Sequence, residues 1–197
     1  MMLEYFGVIA GLLYIALEIK QHRAMWVVGF LTSLVYVFVF FSAKVYAFMG
    51  LQIYYAFISV YGFLLWSRKR TQDVTTDEKE ETILYRHAGL PLLSGMLAAC
   101  GGMSYIIYNI LARFTDSPIP LGDAVTTAIG IVATWMVARR IIEHWYFWIV
   151  ANAISIYIYY LLALYPTMFL YLCYVVLSIV GLYMWTKKGV KTNDKAL

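Results

Sequence analysis

The chain has 197 residues, 63% of them hydrophobic, 18% aromatic and only 13% charged, with a net charge of +4. A water-soluble domain carries about 45–50% apolar and ~25% charged residues, so this chain has too little polar surface to cover a soluble globule, and a soluble enzyme is excluded. Period-2 alternation is missing too, which argues against an outer-membrane barrel and leaves an all-α polytopic membrane protein with the lipid bilayer around it.

In chain order, seven apolar segments can be read, at residues 2–19, 24–43, 45–67, 88–112, 122–138, 143–162 and 163–186. Each is long enough as a helix to cross ~30 Å of hydrocarbon with some tilt. The first lacks a basic leading region, carries Glu4 and ends without a small-x-small cleavage pattern. It is therefore expected to stay in the protein as a span rather than be removed as a signal peptide. The link at 68–86 holds Asp73, Asp77, Glu78, Lys79, Glu80 and Glu81 and reads as a solvated connector with a helical start after Thr76. Cys100 and Cys173 sit inside apolar runs and read as buried small hydrophobes. No phosphate loop, HExxH pattern or Cys/His cluster is present, so no built-in ATPase, catalytic residue, metal or cofactor is expected. No basic stripe points to nucleic acid. The absence of lysine from 163–186 excludes a retinal Schiff base.

Lys and Arg set the orientation. Thirteen of them (Lys20, Arg23, Arg68, Lys69, Arg70, Lys79, Arg86, Arg139, Arg140, Lys187, Lys188, Lys191 and Lys195) fall on one side of a seven-span chain, and only Lys44 and Arg113 on the other. Positive charge marks the cytoplasmic side, so the N-terminus is expected outside and the C-terminus inside.

Sliding the chain on itself gives an ungapped match at an offset of 119 residues. Gly11 meets Gly130, Trp26 meets Trp145, Tyr46 meets Tyr165, Met49 meets Met168, and Leu51 meets Leu170. Further on, Tyr55 meets Tyr174, Ser59 meets Ser178, Gly62 meets Gly181, and Trp66 meets Trp185. Spans one to three therefore repeat as five to seven, with the fourth uncopied. Three spans invert the chain and one more crossing restores its direction, so the halves are expected to be parallel repeats in a 3+1+3 arrangement of the kind used by SWEET-type sugar facilitators. The expected division is 1–70 for the first repeat, 71–121 for the connector and central linker helix, and 122–197 for the second repeat with a short cytoplasmic tail.

Trp145, Trp148, Asn152, Ser155 and Tyr159 recur at helical spacing along the sixth span, on one stripe. An aromatic wall beside a midplane amide suits a flat, hydrogen-bonding heterocycle, with a cation–π contribution of ~0.5–2 kcal/mol for a cationic ring. The equivalent stripe of the second span is Trp26, Gly29, Ser33, Tyr36 and Phe40, with Gly29 where Trp148 stands, so a large ring faces a hole across the pseudo-symmetry. Gln52, Tyr55 and Ser59 form a third stripe, matched by Tyr171, Tyr174 and Ser178. The expected solute contacts are Trp148, Asn152, Gln52, Trp145, Tyr55, Ser155, Trp26, Ser33 and Tyr174. Packing readings stand beside them. Tryptophans near span ends serve as interfacial belts, above all Trp66 and Trp185 next to basic runs. Asn152 can be interhelical glue, and Ser59 and Ser178 lie one turn from Gly62 and Gly181, a helix-packing spacing. Glu143 has Arg139 four residues before it as an ion-pair partner. Glu4 and Asp123 read as helix-start acids, and no acid, Glu18 included, is expected deep enough to relay protons.

The run Gly7-Val-Ile-Ala-Gly11-Leu-Leu, then Gln52 followed by Tyr61-Gly62 and Trp66, and above all Glu143-His-Trp145-Tyr-Phe-Trp148-Ile-Val-Ala-Asn152-Ala-Ile-Ser155, resemble the nicotinamide riboside transporter family, PnuC, over nearly the whole chain. The resemblance implies facilitated uptake of a vitamin precursor across a bacterial inner membrane, with trapping by a cytosolic kinase. It places Trp148 and Asn152 on the solute and has Gln52 facing it. A homo-oligomer is compatible with it. The chain departs from the family pattern N-Y-x-x-G-x-x-N, reading Met25-Trp26-Val-Val-Gly29-Phe-Leu-Thr32. Relatives that carry thiamine or riboflavin therefore stay open beside nicotinamide riboside. A membrane receptor or scaffold that does not transport is the reading from another class.

Overall fold

The computed structural model describes the backbone of residues 2–42, 46–72 and 83–191, and the side chains of 8–39, 41–42, 49–67 and 83–191. Among these, the helices are α1 (Met2–Ile19), α2 (Ala24–Ser42), α3 (Tyr46–Gln72), α4 (Leu90–Phe114), α5 (Pro120–Ala138), α6 (His144–Leu161) and α7 (Tyr165–Lys188). Two short strands, β1 (Ile83–Tyr85) before α4 and β2 (Gly189–Lys191) after α7, pair with each other. Of the connector expected at 68–86, residues 73–82, with the helical start after Thr76, lie outside the described residues, as do Lys44 and the side chains of Glu4, Arg68, Lys69 and Arg70; its ends are not a solvated link, since 68–72 continue α3 and 83–85 form β1 with Ile83 buried.

An apolar run in lipid satisfies its backbone only by hydrogen bonds within itself, which is why each segment closes as a helix. By length and composition, Met49–Ser67, Leu90–Phe114, Pro120–Ala138 and Tyr165–Lys188 are able to cross a membrane, and Val8–Ile19 and Ala24–Val39 are shorter apolar helices. Proline stands in the first turn of α4, α5 and α7, where the missing N–H has no intrahelical partner to lose.

Three helix ends share one stop. Gln21, Arg140 and Ala163 take positive φ, at 52°, 55° and 54°. After α1, the N–H of Gln21 donates to Glu18 O at 2.9 Å and that of His22 to Leu17 O at 2.9 Å. After α5, Arg140 donates to Val137 O at 2.8 Å and Ile141 to Met136 O at 2.9 Å. After α6, Ala163 donates to Tyr160 O at 3.1 Å and Leu164 to Tyr159 O at 2.9 Å. Each is a Schellman ending, which covers the last carbonyls of the helix by reversing the chain through one left-handed residue. Gln21 and Arg140 are 119 residues apart, so the repeat read in the sequence extends to the backbone of the turn.

The chain forms two compact units, Met1–Ile83 and Leu84–Leu197. In the first, α1 packs on α2 and α2 on α3; in the second, α4 packs on α5, α5 on α6 and α6 on α7. The helix expected as an uncopied linker is thus part of the second unit. Its Met96 and Cys100 join Ile129, Val132 and Met136 of α5, with Ile141 and Ala151, in one buried apolar cluster.

Candidate functional site

The predicted site residues divide between the units: Trp26, Ser33, Gln52 and Tyr55 in the first, and Trp145, Trp148, Asn152, Ser155 and Tyr174 in the second.

In the second unit α6 supplies most of the chemistry. Trp145, at its N-terminal end, is wholly buried, and its indole lies flat on α7 where Gly181 leaves room. A Cβ on Gly181 would sit 2.5 Å from Trp145 Cζ2, closer than carbon atoms approach, so only glycine admits the ring. Trp185 meets Trp145 edge-on, with centroids 5.7 Å apart and planes at 87°. His144, also buried, is tilted against Trp145 at 4.5 Å and meets Trp185 edge-on at 4.9 Å, and its Nδ1 donates to Ile141 O at 2.6 Å. Trp148 packs on the apolar cluster of α4 and α5, together with Phe147 and Ile154 of its own helix. Its Nε1 is buried and has no hydrogen-bond partner among the described residues. One turn on, Asn152 is 7% exposed. Ser155 is buried and its hydroxyl donates to Ala151 O at 2.9 Å, so it is satisfied within α6. Tyr174 meets Tyr171 edge-on at 5.7 Å, and Tyr171 meets Tyr159 of α6 at 5.1 Å, which carries the aromatic row along α6 and α7.

The first unit repeats the tryptophan arrangement. Trp26 is wholly buried over Gly62, where a Cβ would lie 2.5 Å from its Cε2. Trp66 meets it edge-on at 5.4 Å and 87°. Ser59 and Ser178 both donate to the carbonyl one turn back, Tyr55 O and Tyr174 O, each at 2.7 Å. Ser33 is buried; Gln52 and Tyr55 are half-buried.

Four expectations are corrected. Trp66 and Trp185 are not interfacial: they are 3% and 0% exposed and turned onto Trp26 and Trp145. Gly29 does not leave a hole, because the Tyr14 ring of α1 comes within 3.1 Å of where a Gly29 Cβ would be, as does Ser59 Oγ. Glu18 is buried, 2% exposed, one turn from Tyr14 on the same helix. Glu143 does not pair with Arg139. Its Oε1 accepts from His87 Nδ1 at 2.9 Å and its Oε2 from the Ala88 N–H at 2.9 Å. The Arg139 guanidinium lies over the Trp135 ring at 4.7 Å instead. Asp123 is in the first turn of α5, as expected of a helix-start acid, and accepts from Ser117 Oγ at 2.6 Å.

Tyr14 and His87 were the residues that patterning missed. For Tyr14 the signal existed. The repeat pairs Tyr14 with Ala133 and Gly29 with Trp148, so each unit has one large and one small side chain in exchanged places.

The sequence profile of a family described as nicotinamide mononucleotide transporter matches residues 1–187. The chain is similar to the nicotinamide riboside transporter PnuC of Escherichia coli (strain K12), 25% identical over 219 aligned residues that cover 99% of this chain and 89% of that protein. It is also similar to the nicotinamide riboside transporter PnuC of Neisseria mucosa, 26% identical over 186 residues, 91% of this chain and 70% of that one. Among solved structures, the crystal structure of the vitamin B3 transporter PnuC shares the fold, with a TM-score of 0.69 at 23% identity over 91% of this chain and 78% of that one.

Proposed function

The chain belongs to the nicotinamide mononucleotide transporter family, and from that premise we propose that it carries nicotinamide riboside across the bacterial inner membrane. The relatives bearing that name span nearly the whole chain. The observation that carries the reading is on α6: a buried, unpartnered indole N–H on Trp148, one turn from the buried amide of Asn152. A buried donor without a partner costs about 1–3 kcal/mol. A flat solute with a carboxamide would stack on the indole and offer acceptor and donor to these two groups. In this reading Ser155 and Tyr174 complete the second unit's side of the site. Trp145 is proposed with them, and Gln52, Tyr55, Ser33 and Trp26 are proposed as solute contacts within the first unit taken by itself.

The seven helices are read as 3+1+3 parallel repeats, 1–70 and 122–197, with α4 as the added crossing. The asymmetry of Lys and Arg supports a cytoplasmic C-terminus. With no ATPase motif in the sequence, the protein is a facilitator, and net uptake depends on a cytosolic kinase that traps the solute. A thiamine (or riboflavin) transporter of the same family is the second reading, kept open because Met25 and Thr32 stand where the family pattern has asparagine.

Uptake of labelled nicotinamide riboside into proteoliposomes tests this. The label is expected to equilibrate without rising above the external level, with or without a proton or sodium gradient. Unlabelled thiamine and riboflavin are expected not to compete. Thiamine competing at lower concentration than nicotinamide riboside itself would reassign the substrate; binding without uptake of any of the three would make the protein a receptor.

A further inference from the structure

The turn that leads into α6 is held from outside the α5–α6 hairpin. Residues 86–88, just before α4, run alongside it in a parallel bridge between Arg86 and Ile141. The Arg86 N–H donates to Arg140 O at 3.0 Å and the Ile142 N–H to Arg86 O at 3.0 Å. Glu143, 16% exposed, extends this clasp with both carboxylate oxygens, one on His87 Nδ1 and one on the Ala88 N–H. Next in the chain come His144 and Trp145, and one turn further Trp148.

The equivalent turn of the first unit lacks this group. At the register of Glu143 stands Ala24, whose N–H donates to His22 Nδ1 at 3.2 Å, a bond inside the turn itself. The two turns share the Schellman bonds and the two that open the next helix, Met25 N–H to His22 O and Trp26 N–H to Arg23 O in the first, His144 N–H to Ile141 O and Trp145 N–H to Ile142 O in the second. Glu143 is therefore not needed to make the turn, and what it adds is a tie between the starts of α4 and α6. A carboxylate accepting two hydrogen bonds in fixed directions, one from a backbone N–H, is a rigid strut. His87 Nδ1 donates to the carboxylate in the Nδ1–H tautomer and in the protonated ring alike.

We propose that Glu143 is a positioning residue for solute binding: by clasping His87 and Ala88 it fixes the axial and rotational setting of α6, and so the placement of Trp148 and Asn152, as a permanent clamp that stays closed through the transport cycle. The inference rests on the α6 site proposed above. It differs from a merely stabilising ion pair in predicting that affinity, rather than the amount of folded protein, responds to the clasp.

The test uses Glu143→Ala, Glu143→Gln and the double variant His87→Cys/Glu143→Cys in proteoliposomes. Misplacing a binding group by a fraction of a helix turn is expected to raise the KM of Glu143→Ala for nicotinamide riboside on the order of 10-fold, with the maximal rate nearly kept. Glu143→Gln retains one acceptor for the Ala88 N–H and is expected to fall between Glu143→Ala and the unsubstituted protein. The reduced double-cysteine protein is expected to behave as Glu143→Ala, and closing its disulfide to return KM toward the unsubstituted value. Unchanged KM in Glu143→Ala and in the reduced double variant would overturn the proposal. So would transport abolished by the disulfide, since the clasp would then have to open. If the unsubstituted protein carries another vitamin in the competition assay, the same variants are read with that vitamin. Failure of the substrate assignment and failure of the clamp are thus separate results.

Discussion

In the first unit Trp26 lies on Gly62 and meets Trp66 edge-on at 5.4 Å; in the second Trp145 lies on Gly181 and meets Trp185 edge-on at 5.7 Å, with both pairs at 87°. The two clusters also share a serine one turn before the glycine, bonded back to its own helix, and a left-handed residue in the preceding turn. Around this common frame the chemistry parts. Tyr14 and Gly29 of the first unit exchange size with Ala133 and Trp148 of the second, Glu18 is matched by Val137, and Glu143 by Ala24. The two units share the tryptophan-on-glycine packing and differ at these positions. A ring on a glycine leaves no latitude for substitution, because interiors are close-packed and a single added carbon must displace something.

The largest expected effect tests the sameness of the frames. Trp26→Ala and Trp145→Ala each empty a wholly buried site and are expected to cost about 3–5 kcal/mol of stability. Thermal unfolding in detergent measures both. Similar losses support equivalent frames; a loss confined to one unit would show that the likeness is geometric only.

The exchange of sizes is tested by a double-mutant cycle. Tyr14→Ala alone opens a cavity at α1 and α2 and is expected to cost ~2–4 kcal/mol, while Gly29→Trp alone overpacks against Tyr14 at ~1–3 kcal/mol. Combined, the added ring enters the space that Tyr14 has left, and the cost is expected to fall below the sum by at least ~1 kcal/mol. Additive losses would mean that Tyr14 does not occupy the space Gly29 vacates.

Much of this was legible in the sequence. The helix limits agree with the apolar runs to within a few residues, because charged or turn-forming residues bound all of them except where the sixth meets the seventh at Leu162-Ala163, and the repeat showed through glycine and tryptophan pairs that apolar drift does not produce. The orientation of Trp66 and Trp185 was not legible. An indole next to a basic run has the same local sequence whether it turns to the lipid headgroups or inward, and the rings that Trp66 and Trp185 meet, Trp26 and Trp145, come from a different helix and lie on Gly62 and Gly181. The partner of Glu143 was hidden for a similar reason: Arg139 is four residues away, but His87 is fifty-six residues away in sequence and 2.9 Å away in space. The burial of Glu18 was missed because a carboxylate near the end of a span reads as solvated.

Function separates the units next. Asn152→Ala and Trp148→Ala are each expected to weaken nicotinamide riboside binding by ~1–3 kcal/mol, through a lost hydrogen bond and lost stacking respectively. Affinity and melting temperature should be measured on the same samples. If Asn152 is interhelical glue instead, melting falls and the surviving protein binds normally. Trp185→Ala serves as the frame control: it is expected to lower stability more than it lowers affinity, since its ring rests on Trp145 and His144.

The smallest effect concerns the three Schellman turns. A residue with a Cβ in the left-handed region is disfavoured by about 1–2 kcal/mol, and glycine removes that strain at the expense of a more flexible unfolded chain, roughly 0.5–1 kcal/mol. Ala163 is the clearest case: it is exposed, has φ of 54° and gives up only a methyl group. Ala163→Gly is expected to stabilise by about 0.5–1 kcal/mol, a rise of roughly 1–4 °C in melting temperature for a chain of this size. Gln21→Gly and Arg140→Gly relieve the same strain but also remove long side chains that have interactions of their own. Their gains are expected to fall below that of Ala163→Gly. Equal gains at all three positions would show that the turn backbone alone sets these helix ends, and a loss at Arg140 only would mark the second unit's turn as one whose side chain, beyond its conformation, the fold depends on.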